Sequence, residues 1–403
     1  MQPEVRFNKY NTPWKCVVLS DVFKERHQIS TITEEFPQLS FTIAEGVINP
    51  EDRKSNKRDF LIKDITTKKY LITCKEDIIY NPANVVHGAI HRNALRNGVV
   101  SPIYKIFETN ECAAFLEQIV RNPNFIHAMT KFMEGTVLKL RTLKPDSFLG
   151  MKVNICEQQD EQEKIALYFH TFDSKIQASA KKIEALKKLK SALLISMFPQ
   201  NGESTPKVRV NGFSDKWNKV ILSDIGKMKA GGTPSTYVKE YWDGDINWLQ
   251  SGAVKNEIIS SSSVTRKITE LGMLHSSTFM IKKMSVLIAI TGATCANIAY
   301  LPFESCANQS VVALEPSNDY DCLFVHYTLL TQRSQILSLK GGSAQSGVSL
   351  NALKGVEIFV PCKAEQQKIA NLFRSLDKKI SLETSRLEKL KQIKSACLNK
   401  MFV

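Results

Sequence analysis

The chain has 403 residues, 43% of them hydrophobic and 23% charged, with a formal net charge of +14. That length favours more than one domain, and that composition excludes general disorder. No apolar run approaches the ~20 residues needed to cross a bilayer, and Met1–Arg6 lacks the apolar stretch of a signal peptide, so a cytoplasmic location is expected.

The positive charge is spread along the chain. Residues 1–200 hold 29 Lys/Arg against 23 Asp/Glu, and residues 201–403 hold 25 against 17, giving +6 and +8. A distributed positive field suits a polyanion such as nucleic acid, because neutralised phosphates release counterions. The nine cysteines are scattered and never form a C-x-x-C pair. They are expected to be reduced and mostly buried, with neither a disulfide framework nor a zinc site.

In chain order, the first segment runs from Pro3-Glu4-Val5-Arg6 through Trp14 to Leu19-Ser20-Asp21. Short apolar alternations follow: Tyr70–Thr73, Asp77–Tyr80 ahead of Asn81-Pro82, and Val99–Ile106. They predict strands, and a helix is expected around Cys112–Phe132. Basic and polar residues cluster on the intervening loops: Arg53, Lys54, Lys57, Arg58, Lys68 and Lys69, then Asn84, His87, His91, Arg92 and Arg96. From Glu161 to Phe198 there is no Pro or Gly, and Lys, Glu, Leu and Ala dominate, which predicts a helix. Along it Phe169, Ile176, Ile183, Lys190 and Met197 recur every seven residues, with Phe172, Ser179, Leu186 and Leu193 three places later. This is a heptad seam weakened at its Lys and Ser positions. Pro199–Pro206 reads as a linker.

The pattern then begins again. Nine of 19 residues from Pro3 to Asp21 are identical to those 203 positions later, including Trp217 and Leu222-Ser223-Asp224. Strands are expected at Met284–Ile290 and Gln309–Leu314, and a helix around Asp321–Leu339. Loop clusters stand at Lys255, Arg266, Lys267, Lys282 and Lys283, at Thr291, Thr294 and Asn297, and at Gln345 and Ser346. Arg and Lys suit phosphates and guanine edges, and Asn and Gln suit adenine edges. From Glu161 to Phe198, 18 of 38 residues are identical to those 204 positions later. The second seam consists of Phe373, Ile380, Leu387, Lys394 and Met401, with Leu376, Glu383, Leu390 and Cys397. Two matched seams favour helices that pair with each other as a spacer of ~55 Å. The chain is therefore two units, each with a constant opening, a divergent middle and a constant helix. The expected class is mixed α/β (α+β), with two tandem globular domains each followed by a long helix and the helices paired as an antiparallel coiled coil.

Motifs for catalysis are missing from the sequence. No G-x-x-x-x-G-K-[ST] occurs. Asn81-Pro82-Ala83-Asn84 lacks the second Pro and the aromatic residue of an adenine-methyltransferase motif and reads as a turn. His87 and His91 have helical metal-ligand spacing but no third ligand in view, so no metal site is assigned.

With the duplication in hand, the chain resembles the specificity subunits of type I restriction–modification enzymes. The likeness rests on Trp-x-x-x-x-Leu-Ser-Asp at Trp14 and Trp217, and on Glu-Gln-x-Lys-Ile-Ala at Glu161 and Glu365. The second middle adds Gly231-Gly232-Thr233-Pro234-Ser235, Tyr241-Trp242-x-Gly244-x-Ile246-x-Trp248, Asn308-Gln309 and Gly342-Ser343-x-Gln345. The first middle resembles another branch through Ile79-Tyr80-Asn81-Pro82, Gly88-Ala89 and Val99-Val100-Ser101-Pro102. The family's proline-rich lead into the helix is reduced to Pro361 in the second copy, and Glu157 stands at the matching place in the first.

The resemblance implies target-recognition domains at 1–158 and 206–362, spacer helices at 159–200 and 363–403, and a linker at 201–205. It implies a non-catalytic, double-stranded-DNA-reading subunit for an asymmetric bipartite target. The partners would be two methyltransferase (modification) subunits and restriction (translocase/nuclease) subunits, with S-adenosylmethionine, ATP and magnesium bound by them. A protein-binding scaffold with incidental charge, and a single-chain DNA methyltransferase or nuclease, are the competing readings.

Overall fold

The computed structural model describes residues 2–53, 68–135, 141–200, 203–341 and 347–402. The chain divides into two compact units. The first comprises residues 1–180 and 385–403, and the second residues 181–384. Each therefore combines a globular domain with parts of both long helices.

Two helices of 39 residues, Gln159–Met197 and Lys363–Met401, follow the two middles. Good helix formers fill them, and Asp160, Glu161 and Glu365 in the first turns suit the positive end of the helix dipole. In the first unit Lys394 bonds Asp173 at 2.5 Å, and Tyr168 contacts the Cys397 thiol at 3.5 Å. In the second, Lys190 bonds Asp377 at 2.5 Å and Lys182 bonds Glu383 at 2.8 Å. In each unit the partner's number falls as the first rises, so the two helix segments run antiparallel.

The seam residues Phe169, Ile183, Phe373, Leu376 and Met401 are buried, while Phe172, Ile176, Leu186, Leu193, Ile380, Leu387 and Leu390 are half-buried. The lysines that weaken the heptad pattern are satisfied by aspartates across the seam. An unpaired ammonium there would be costly, and a paired one fixes register.

Both middles contain a four-stranded antiparallel sheet whose strands take the same order. In the first unit this order is Lys24–Glu25, Lys105–Glu108, Ile78–Tyr80, Ile90–Arg92. In the second it is Gly226–Ala230, Val311–Pro316, Ser285–Ala289, Ile298–Leu301. Each unit also has a two-stranded sheet joining its opening to its end, Lys15–Val18 with Lys152–Ile155 and Asn218–Ile221 with Glu357–Val360. Each also has a three-stranded sheet, and the first unit adds a two-stranded one, Ser40–Thr42 with Gly46–Ile48. So the divergent middles share a framework.

The repeated Glu-Gln-x-Lys-Ile-Ala segment has a residue-by-residue explanation. Glu161 accepts two bonds from the Arg6 fork (2.6 and 2.7 Å), and Glu365 accepts two from Arg209 (both 2.8 Å); both carboxylates are fully buried. Gln162 accepts from the Cys112 N–H and donates to the Cys156 carbonyl, and Gln366 does the same between Asp321 and Pro361. Lys164 lies over Phe7 and Lys368 over Phe213. Ile165, Ala166, Ile369 and Ala370 are core. The helix start is thus latched to the opening segment and to the globular domain twice over.

The ends of the helices close the cores in the same repeated way. Phe198 packs among Trp217, Phe324 and Phe373, and Phe402 among Trp14, Phe115 and Phe169.

Four sequence expectations need correction. The stretch Cys112–Phe132 is two α-helices, Ala113–Val120 and Pro123–Met129, because Asn122 caps the second through the Asn124 N–H and Pro123 starts it. The stretch Asp321–Leu339 likewise divides into Cys322–Thr331 and Arg333–Ser338. Val99–Ile106 is two strands in different sheets, Gly98–Val100 and Lys105–Glu108, parted at Pro102. Of the nine unbonded cysteines, only Cys156, Cys295 and Cys306 are buried, so mostly buried thiols are not what the fold contains.

Candidate nucleic-acid interface

In the first unit the strand Ile78–Tyr80 ends at Asn81, whose side chain accepts from the Ala83 N–H and turns the chain. Asn84 and His87 are exposed on this turn, which closes through Gly88 at a φ of 84°. His91 and Arg92 lie on the returning strand. His91 is buried, its Nε2 2.8 Å from the Ile43 carbonyl oxygen, and burial lowers its pKa to about 4. Arg92 is held by Glu76 at 2.6 Å and Glu117 at 3.4 Å. Arg96 donates to Asn49 at 2.8 Å, just ahead of the turn that carries Arg53. Lys68 and Lys69 are exposed, with Lys68 over the Tyr70 ring. The fold thus brings Arg53 and Arg96 to one place and sets Asn84 and His87 on the hairpin turn. Lys54, Lys57 and Arg58 lie outside the described residues.

In the second unit Thr291, Thr294 and Asn297 form the turn between Ser285–Ala289 and Ile298–Leu301. The Asn297 amide is consumed there, donating to Val254 O and accepting from Asn256 Nδ2, which brings the exposed Lys255 alongside. Lys282 and Lys283 precede the Ser285–Ala289 strand, at its opposite end, and line a cleft with Lys227 and Lys363. Arg266 and Lys267 are exposed on another sheet, the three-stranded one. Gln345 and Ser346 lie outside the described residues, although Val348, just after them, donates to Ile290 O.

That three-stranded sheet holds a cluster missed by loop-based reading. Its order is Arg266–Ile268, Trp242–Leu249, Cys306–Ala307, and one rung aligns Arg266, Trp248 and Cys306. Trp242 and Trp248 meet edge to face at 5.1 Å, and the Arg266 guanidinium stacks 3.7 Å above Trp242. The two indole N–H groups donate to Ser235 O and Gly232 O, each at 3.0 Å. The Thr233 hydroxyl between them donates to the exposed Gln309. Two tryptophans six residues apart on one strand were the available signal.

Residues 214–392 match the family described as "Type I restriction modification DNA specificity domain". The match takes in the Arg266–Trp242–Gln309 cluster. Among curated relatives, the chain is 30% identical over 190 residues to the type I restriction enzyme MjaIX specificity subunit of Methanocaldococcus jannaschii, covering 46% of this chain and 44% of that one. It is 30% identical over 162 residues to the EcoR124I/EcoR124II specificity subunit of Escherichia coli, covering 39% and 40%. The chain thus matches less than half the length of these relatives.

Among solved structures, the type I restriction–modification S subunit from M. genitalium superposes with a TM-score of 0.66 at 16% identity, over 100% of this chain and 99% of that one. A chain from a study of complex assembly in the type I system gives 0.52 at 14%, over 97% and 98%. These likenesses establish the fold, including tandem mixed α/β domains each followed by a long helix. Among the described residues, no helix is long and apolar enough to cross a membrane.

Proposed function

We propose that this chain is the DNA-reading, non-catalytic subunit of a type I restriction–modification complex. The observation that carries this reading is the specificity domain at residues 214–392. The repeated sheet order of the first unit supports extending it to both middles, with recognition domains at 1–158 and 206–362. Each reads one half of a bipartite duplex target, and because the two middles differ in sequence the target is asymmetric. The helices at 159–200 and 363–403, joined to the second domain through 201–205, set the unread spacing and dock two methyltransferase subunits. Restriction subunits join that assembly in the cytoplasm. Its S-adenosylmethionine, ATP and magnesium sit on the partners.

Within the domains, Lys68, Lys69, Arg53 and Arg96, and Lys255, Lys267, Lys282 and Lys283, supply phosphate contacts. Asn84 and His87 approach the grooves from their turn. Arg92 and His91 support that surface from behind, since their polar atoms are already engaged.

The deciding experiment replaces residues 14–156 by the corresponding domain of another such subunit and maps methylated bases genome-wide. One half of the recognised sequence should change and the other should persist. Change in both halves, or in neither, defeats the modular reading. Inserting about four residues into both helices should lengthen the unread spacer; an unchanged spacer removes the helices from that role.

A further inference from the structure

Arg266 and Gln309 are both exposed, and each is oriented by a neighbouring side chain, Arg266 by the buried Trp242 and Gln309 by Thr233. The Arg266 side chain makes no hydrogen bond or ion pair among the described residues, yet its guanidinium lies against Trp242 at 3.7 Å and stands 5.8 Å from Trp248. The supporting indoles are 8% and 3% exposed. Stacking on a ring face leaves the in-plane N–H fork of an arginine open.

Gln309 is reached from the other side of the same support. The N–H of Asn308, its neighbour, bonds to Leu249 O at 2.9 Å, extending the Cys306–Ala307 strand pairing. Its Oε1 accepts from Thr233, which leaves the amide NH2 and the second lone pair of Oε1 for a ligand. The segment bearing Thr233 runs close against neighbouring backbone and side chains. A Cβ on Gly231 would lie 2.2 Å from Ala307 O, and one on Gly232 2.3 Å from Ser277 Oγ. The Trp242 and Trp248 N–H bonds pin the backbone on either side of Thr233.

A rigid arginine fork presents the donor pair that matches guanine O6 and N7. A rigid glutamine amide presents the donor–acceptor pair that matches adenine N7 and N6. An arginine that merely shielded a tryptophan would have no need of an oriented amide on the same support. We propose that the specificity domain reads its half-site with Arg266 on a guanine and Gln309 on an adenine. Trp242 and Thr233 act as positioning residues. This rests on the reading of the second domain as a DNA reader, and it adds which side chains discriminate and between which bases.

The test uses the full chain assembled with its methyltransferase partners. The wild-type motif is first mapped by methylation, and binding is then measured to duplexes carrying every single-base substitution of that motif. Absence of any sequence preference in the wild-type complex would count against the parent reading, separately from this one. Arg266→Lys keeps the charge and removes the fork. It should lower discrimination about 10- to 100-fold at one guanine of the second domain's half-site and leave other positions intact. Gln309→Ala should do the same at one adenine. Unchanged discrimination at every position for both variants overturns the proposal. So does an equal loss of affinity for all duplexes, which marks a phosphate contact or a structural role. Amide exchange of the Trp242–Leu249 strand checks that each variant keeps its fold.

Discussion

The latch between Arg209 and Glu365 offers a quantitative test of how the helix is joined to its domain. Glu365 is fully enclosed, and Arg209 is 17% exposed, with two hydrogen bonds of 2.8 Å between them. Replacing Arg209 by Met strands a carboxylate in the interior, which costs about 3–5 kcal/mol. Changing both residues, Arg209→Met with Glu365→Gln, leaves a neutral amide and a chain of similar volume, and the loss should fall below about 2 kcal/mol. The single variant should therefore be less stable than the double by more than about 1 kcal/mol. Urea unfolding of the full chain measures this, with amide exchange at residues 222–225 and 365–373 reporting on the second unit. Lys219–Glu357, about half exposed on both sides, is the internal control, and Lys219→Met should cost less than about 1 kcal/mol. If Arg209→Met costs no more than Lys219→Met, the buried-latch reasoning is wrong. The Arg6–Glu161 pair in the first unit should behave like Arg209–Glu365.

Other consequences can be measured on the same preparation. Burial lowers the pKa of His91 to about 4 and that of His326 to about 3, both from an ordinary 6.5. The unfolded chain therefore binds protons first as the pH falls. Stability is complete above about pH 6.5 and is lost below it, with His91 alone contributing a loss of about 2 kcal/mol by pH 5. A urea midpoint that is level from pH 7.5 to 5 would contradict this. Phe198→Ala empties a fully buried site between Trp217, Phe324 and Phe373 and should cost about 3–5 kcal/mol in urea unfolding. Gly231→Ala forces a clash with Ala307 O and should destabilise the second unit by about 1–3 kcal/mol, seen as faster amide exchange in residues 242–249.

Helices were legible in the sequence because their signal is local and repeated. Thirty-nine residues without Pro or Gly, seamed at Phe169, Ile176 and Ile183, allow little besides a helix with a partner. The lysines at 190 and 394 looked like defects because their answers, Asp377 and Asp173, stand far away in sequence. The middles were less legible for the same reason. Val99–Ile106 alternates as one strand would, and only tertiary pairing assigns its halves to separate sheets.

The candidate interface was hardest to read. Basic residues were assigned to loops by composition, but composition does not show that Arg92 is occupied by Glu76 and Glu117, or that Arg266 stacks on Trp242. In the sequence Gln309 stands out only as part of the Asn308-Gln309 motif. Its orientation by Thr233, 76 residues away, has no local signature.

The closing of the first core by Met401 and Phe402 also imposes a schedule on synthesis. Residues 1–180 leave the ribosome without the 385–403 segment that completes their unit, which is made some 200 residues later. At about 5–20 residues per second, the wait is roughly 10–40 s. Throughout it Trp14, Phe115 and Phe169 lack the aromatic ring that covers them. The second unit, drawn from the continuous stretch 181–384, has no such delay. The half of the protein made first is therefore the half finished last, and a chain cut short near residue 385 would pair an intact second unit with an open first one.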